Sequence, residues 1–177
     1  MNPKRAALLA AAGVAANLLA SAAAAEEWRP FSATWALSGK RTTVPTEGAR
    51  GAAILHASGS FVITKGDVVG RGFFGEVVGF DDGGTLLAGR AVFTDAQGDR
   101  IYATIKAQPL GTGRTATATI TGGTGRWAGL EGDFTFAWRY VVESGEGDFD
   151  AVTVNVEGRA RRAPPKTAVP TPAEVSK

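Results

Sequence analysis

The sequence predicts an all-β protein, a single antiparallel β-barrel of eight or nine strands. Three observations carry that prediction. Short runs of residues alternate apolar and polar side chains at hairpin spacing, which is the period of a strand. No stretch beyond residue 25 shows a convincing helical period. Finally, 23 of the 24 glycines lie between positions 39 and 158, several of them inside strands, where a sheet that curls to closure needs them.

Each element can be justified in order. Phe31, Ala33, Trp35 and Leu37 alternate with Ser32, Thr34, Ala36 and Ser38, a strand. Lys40 to Gly51 is polar, contains Pro45 and Gly48, and reads as a loop. Ala52 to Ala57 and Ser60 to Thr64 are strand pieces around Ser58-Gly59, which marks a bulge or bend in one long strand or a turn between two. Lys65-Gly66-Asp67 is a turn, and Gly70 to Phe80 is a strand with four glycines. Asp81-Asp82-Gly83-Gly84 signals a hairpin, and Leu86 to Asp95 returns from it. Asp95-Ala96-Gln97-Gly98 suits a type I turn with its Asp first and its Gly last. Asp99 to Ala107 follows, with Ile101, Ala103 and Ile105 on one face, and Pro109 to Gly113 is a loop. Arg114 to Thr121 alternates threonines with Ala116, Ala118 and Ile120. Asp133 to Val142 places Phe134, Phe136, Trp138, Tyr140 and Val142 on one face, the most aromatic in the chain and the expected main core strand. Glu143 to Asp148 is an acidic turn, and Phe149 to Gly158 sets Val152, Val154 and Val156 opposite Thr153, Asn155 and Glu157.

Both ends of the chain read differently from this body. Residues 1–25 have the pattern of an export signal: Lys4 and Arg5, an apolar run from Ala6 to Ala20, then small residues to Ala25. Cleavage there would leave Glu26 first. Residues 159–177 are basic and proline-rich and are expected to be a disordered tail. Lys4 and Arg5 account for the whole chain's charge of +2, because the remainder holds 17 basic and 17 acidic residues. The body from 26 to 158 has 12 basic and 16 acidic residues, a net of −4, which argues against nucleic acid as a partner. The chain has no cysteine and a single histidine, so thiol chemistry is excluded and a metal centre would lack its usual ligands. No cofactor is implied, and no segment reads as a membrane span.

The stretch Thr119 to Gly132, TITGGTGRWAGLEG, joins the threonine strand to the aromatic one. Gly122, Gly123, Gly125 and Gly129 permit a tight reversal around Trp127. As a phosphate loop the spacing fails: Gly123, Gly125 and Gly129 are one residue too widely set for the dinucleotide fingerprint, and no helix follows. Instead Gly122-Gly123-Thr124-Gly125-Arg126-Trp127-Ala128-Gly129 resembles the glycine-rich turn of the allene oxide cyclase and dirigent barrels. The likeness is best from Phe73 to Val142, and extends to uncharacterised exported bacterial proteins of the same build. It implies an eight-stranded calycin-like barrel with a cavity, in a group that includes enzymes guiding cyclisation or radical coupling of apolar substrates. In that family the turn is structural, and it brings no catalytic residue to this chain.

Candidate chemistry centres on Glu76. It alternates with Phe74, Val78 and Phe80, so if that face is the barrel interior, a carboxylate points into an apolar space and suits a general acid or base. Otherwise it belongs to a structural ion pair, or to an outward face whose aromatics cover something else. Arg90 is its candidate partner: a hairpin loop of odd length sets the two directly opposite, and an even one turns Arg90 to the other face. Phe74, Tyr102, Phe136 and Trp138 are the candidate ligand contacts, with aromatic core packing as the plainer role for the last two. His56 near Ser58 and Ser60 suggests a Ser–His pair, but no G-x-S-x-G and no third member accompany it. Glu143, Glu146, Asp148 and Asp150 suggest a cation loop without a known spacing, and a solvated turn is the simpler reading.

Two functions fit these expectations. One is an exported barrel that binds a small apolar molecule inside, as a carrier or with an isomerase or cyclase step assisted by Glu76. The other is a non-catalytic structural or protein-interaction module whose barrel is filled. The partners considered are therefore a small apolar molecule, a protein, and further copies of the chain.

Overall fold

A computed structural model describes residues 27–46, 51–82, 85–107 and 115–163. It contains eight strands: β1 (Arg29–Pro45), β2 (Gly51–Lys65), β3 (Gly72–Asp82), β4 (Thr85–Thr94), β5 (Arg100–Ala107), β6 (Thr115–Gly123), β7 (Leu130–Glu143) and β8 (Asp148–Arg162). Each pairs antiparallel with the next, and β8 pairs antiparallel with β1, so the sheet closes on itself. The expected fold class is what the chain forms, with eight strands. Among the described residues the only other regular element is a 3₁₀ turn, Gly125–Trp127, and no helix is long and apolar enough to cross a membrane.

Closure removes every strand edge and leaves two surfaces, an inner and an outer. Alternation then decides what lies inside. Phe31, Ala33, Trp35 and Leu37 of β1 are buried, as are Ile101, Ala103 and Ile105 of β5, Ala116, Ala118 and Ile120 of β6, and Phe134, Phe136 and Trp138 of β7. These are the faces that the period-two pattern indicates. The aromatic rings form one continuous cluster down the barrel. Trp35 lies 5.1 Å from Phe93 and 5.9 Å from Phe61, and Phe134 lies within 6.1 Å of Phe31, Phe61, Phe93 and Phe136. Trp35 reaches across the interior to β3, where a Cβ on Gly75 would stand 2.9 Å from its ring; the strand glycine makes room for the indole.

Several expectations need correction. Of the two readings of Ser58-Gly59 the single long strand holds and the turn does not: β2 runs unbroken from Gly51 to Lys65. Half of the loop expected after Lys40 is strand, since β1 continues to Pro45; residues 47–50 lie outside the described residues. In β8 the three valines do not share a face. Asn155 adopts φ +54°, a bulge that adds one residue against β7 and reverses the alternation. Thr153 and Val156 therefore point inward, while Val154 is exposed. The ladder with β1 breaks at the same place, and Thr153 fills the break: its Oγ1 accepts from the Trp35 N–H at 2.9 Å and donates to the Trp35 carbonyl at 3.4 Å.

The barrel also extends beyond residue 158. β8 runs to Arg162 with Ala160 fully buried, so residues 159–162 are wall and not tail. Arg159 pairs with Asp133 and Arg161 with Glu131 across β7, and both guanidinium groups lie on the Trp28 ring at 5.0 and 4.5 Å. The attraction of cation to ring ties the start of β1 to the end of β8. Residues 1–26, which include the stretch read as an export signal, and the chain from 164 onward lie outside the described residues.

Candidate functional site

The barrel interior is packed with side chains. Its internal void, lined by Phe31, Phe61, Val69, Phe73, Phe93, Ile101, Ile120 and Phe134, measures about 20 Å³. Small-molecule sites run to about 300–1,000 Å³, so this space is the size of a water molecule and too small for an organic ligand. Phe136 and Trp138 are 3% and 7% exposed and belong to that packing.

Glu76 stands outside, and the interior position considered for it is corrected. On β3 the buried side chains are Phe73 and Val77, while Phe74, Glu76, Val78 and Phe80 all face outward and are exposed. The hairpin register explains the rest. Asp82 pairs with Thr85, one extra residue is taken up beyond Phe80, and Glu76 then lies opposite Val92 while Val78 lies opposite Arg90. Glu76 and Arg90 are diagonal neighbours on the outer wall, and neither makes an ion pair among the described residues. Tyr102, opposite Val92 on β5, is on the same outer wall and half-buried. The predicted ligand contacts are thus split by the sheet: Phe74 and Tyr102 outside, Phe136 and Trp138 inside.

What the structure brings together is an apolar outer stripe. Ile54 on β2 pairs directly with Phe80 on β3, which pairs with Ala88 on β4. Ile54, Phe74, Val78 and Phe80 are 62%, 52%, 52% and 45% exposed. Single exposed apolar residues are ordinary, but four on two adjoining strands form a patch. An open groove of about 410 Å³ runs over Ile54, Val78, Phe80, Ala88 and Arg90. His56 lies opposite Val78 and Ser58 opposite Glu76, all on this face, yet no hydrogen bond joins His56 to either serine, so no nucleophilic pair forms.

The other candidate features are structural. Three of the four carboxylates of the β7–β8 hairpin meet neighbours, with Asp150 accepting from Ser38 Oγ at 2.6 Å, Asp148 facing Lys40 and Glu143 facing Arg41, while Glu146 is exposed. No cluster of His, Asp and Glu that would hold a metal occurs among the described residues.

The glycine turn caps one end of the barrel. Gly125 has φ +50°, and a Cβ there would fall 1.9 Å from Asp99 Oδ1. Trp127 is buried 5.5 Å from Phe73. Its holder is Asp95, in the β4–β5 turn. Asp95 Oδ2 accepts from Trp127 Nε1 at 2.6 Å and Arg126 Nε at 2.7 Å, and Oδ1 accepts from the Gln97 and Asp99 N–H groups. Burial pushes this carboxyl up, but the four hydrogen bonds outweigh it and hold Asp95 below its ordinary value. The Asp-first turn is present, with Gly98 N–H bonded to the Asp95 carbonyl. The link from Asp95 to Trp127 was not foreseen; a turn aspartate has a local explanation that conceals a distant one.

Comparison with known proteins gives no match to a family model, to a curated protein or to a solved structure.

Proposed function

We propose that this chain is an exported, non-catalytic barrel that works by its outer wall, as a protein-interaction module with a filled core. The observation that carries this is the placement of the two faces of β3. The inner one is packed to a void of about 20 Å³, and the outer one leaves Phe74, Val78 and Phe80 uncovered. A cyclase or isomerase acting inside the barrel would need space and an inward acid, and Glu76 points away from the interior. Kinship with the allene oxide cyclase and dirigent barrels belongs to the same proposal as a shared architecture. The eight-strand closure and the glycine turn held by Asp95 support it.

The test is mass spectrometry of the protein recovered from the exported fraction of its native host. The intact chain should begin at Glu26, and denaturation should release no small molecule in stoichiometric amount. A stoichiometric apolar molecule would overturn the filled-barrel function, and an uncleaved chain confined to the cytoplasm would overturn export.

A further inference from the structure

We infer that the outer stripe of β3 binds a second copy of this chain, with the two strands laid antiparallel across a two-fold axis at Val77. The inference rests on the wall being the working surface, and deepens it by naming the partner. The outward residues of β3 read Phe74, Glu76, Val78, Phe80, with an aromatic ring at each end. Rotation about an axis at Val77 places Phe74 over Phe80 of the second copy, so both ring pairs meet. The same rotation places Glu76 over Val78 of the second copy. Because Val78 pairs with Arg90 in its own sheet, Glu76 is offset sideways by about one strand spacing, ~4.8 Å, from Arg90 of the other copy, across a face-to-face gap of ~10 Å that the two long side chains bridge.

Charge complementarity selects this occupant. The stripe holds one acid and one base, and neither has an ion-pair partner within the chain among the described residues. Covering an unpaired charge is costly, so a partner of either sign would leave one of the two uncompensated. A second copy matches both, twice, as an isologous interface requires. Ile54 widens the apolar strip on the β2 side, and Arg100 and Lys106 on β5 stand beyond Arg90 at its rim. Two convex walls touch over only a few strands, which places the contact at the small end of specific interfaces and makes the dimer weak and reversible.

Sedimentation velocity of the purified protein, from ~10 µM to ~1 mM, tests this over the range expected of a weak interface. A concentration-dependent monomer–dimer equilibrium is expected. Glu76→Arg and Arg90→Glu should each raise the dissociation constant about tenfold or more, and the double charge swap should restore dimerisation. Phe80→Ser should weaken it without altering charge. All of these positions are exposed, and circular dichroism checks that each variant folds. A monomer at every concentration overturns the inference. So does a dimer indifferent to the single reversals, or one that the double swap fails to rescue. A monomer would leave the barrel interior as filled as before, whereas a released small molecule would overturn the filled-barrel function without changing the sedimentation.

Discussion

β3 carries an apolar face on each side of the wall, and the barrel covers only one of them. Inward, Phe73 and Val77 pack among the rings, and Gly75 yields its side-chain space to Trp35. Outward, Phe74, Val78 and Phe80 meet solvent at about half exposure. The residue types are nearly the same, so hydrophobicity does not distinguish the two faces. What differs is size matching: the inner face alternates large side chains with glycine, as a convex-to-concave fit requires, and the outer face carries a full side chain at each position. An apolar surface that is not shaped to its surroundings is available to something else.

Substitutions at neighbouring positions break this comparison most directly. Phe73→Ala should cost about 3–5 kcal/mol in denaturant unfolding, because the cavity would open between Phe61 and Trp127, which are held by the rest of the core. A cost below ~1 kcal/mol would mean that the inner face is not tightly packed. Gly75→Ala should come next. Its methyl would meet the Trp35 ring at 2.9 Å, and a wall-to-wall indole has nowhere to move, so overpacking of about 1–3 kcal/mol is expected. An alanine that stabilises would show that Trp35 has slack.

A narrower effect belongs to the capped end. Asp95 is held below its ordinary value, so the native state binds fewer protons than the unfolded chain wherever pH lies between the two values. Its contribution is complete above the unfolded value of about 4 and fades as pH falls through the lower native one. Asp95→Asn should therefore lower the melting temperature at neutral pH, and the gap from the unaltered protein should shrink as the solution is acidified below about pH 4. A gap constant across that range would mean that the carboxylate charge does not hold Trp127 and Arg126.

The strands themselves were legible from alternation, and closure from glycines that interrupt strands. β1, β5, β6 and β7 each have one plainly apolar face, and each turned it inward, except that Val142, expected on the core face of β7, lies beyond a register shift after Tyr140 and is 58% exposed. β3 was not legible in the same way. With Phe73 and Val77 on one face and Phe74, Val78 and Phe80 on the other, period two yields the strand without its orientation, and the hairpin register depended on one extra residue beyond Phe80. β8 was misjudged for another reason: its valines keep a strict alternation that Asn155 breaks by entering a left-handed conformation, which a short polar residue tolerates. The candidate site hung on the face of β3 that the sequence left open, since Glu76 was interesting only as an inward residue.

The smallest effect is expected on the outer face, and it sharpens the comparison. Phe74 is a phenylalanine next to Phe73 in sequence, yet at 52% exposure it leaves little cavity when truncated. Phe74→Ala should change unfolding free energy by no more than about 0.5 kcal/mol in dilute solution. The same variant carries a second readout. If the stripe is covered by another copy, the melting temperature of the unaltered protein rises with concentration by mass action, and that rise should vanish in Phe74→Ala while the dilute value stays put. A large loss of stability in dilute solution would mean that Phe74 is held within the monomer. The division of β3 into a face for folding and a face for binding would then fail.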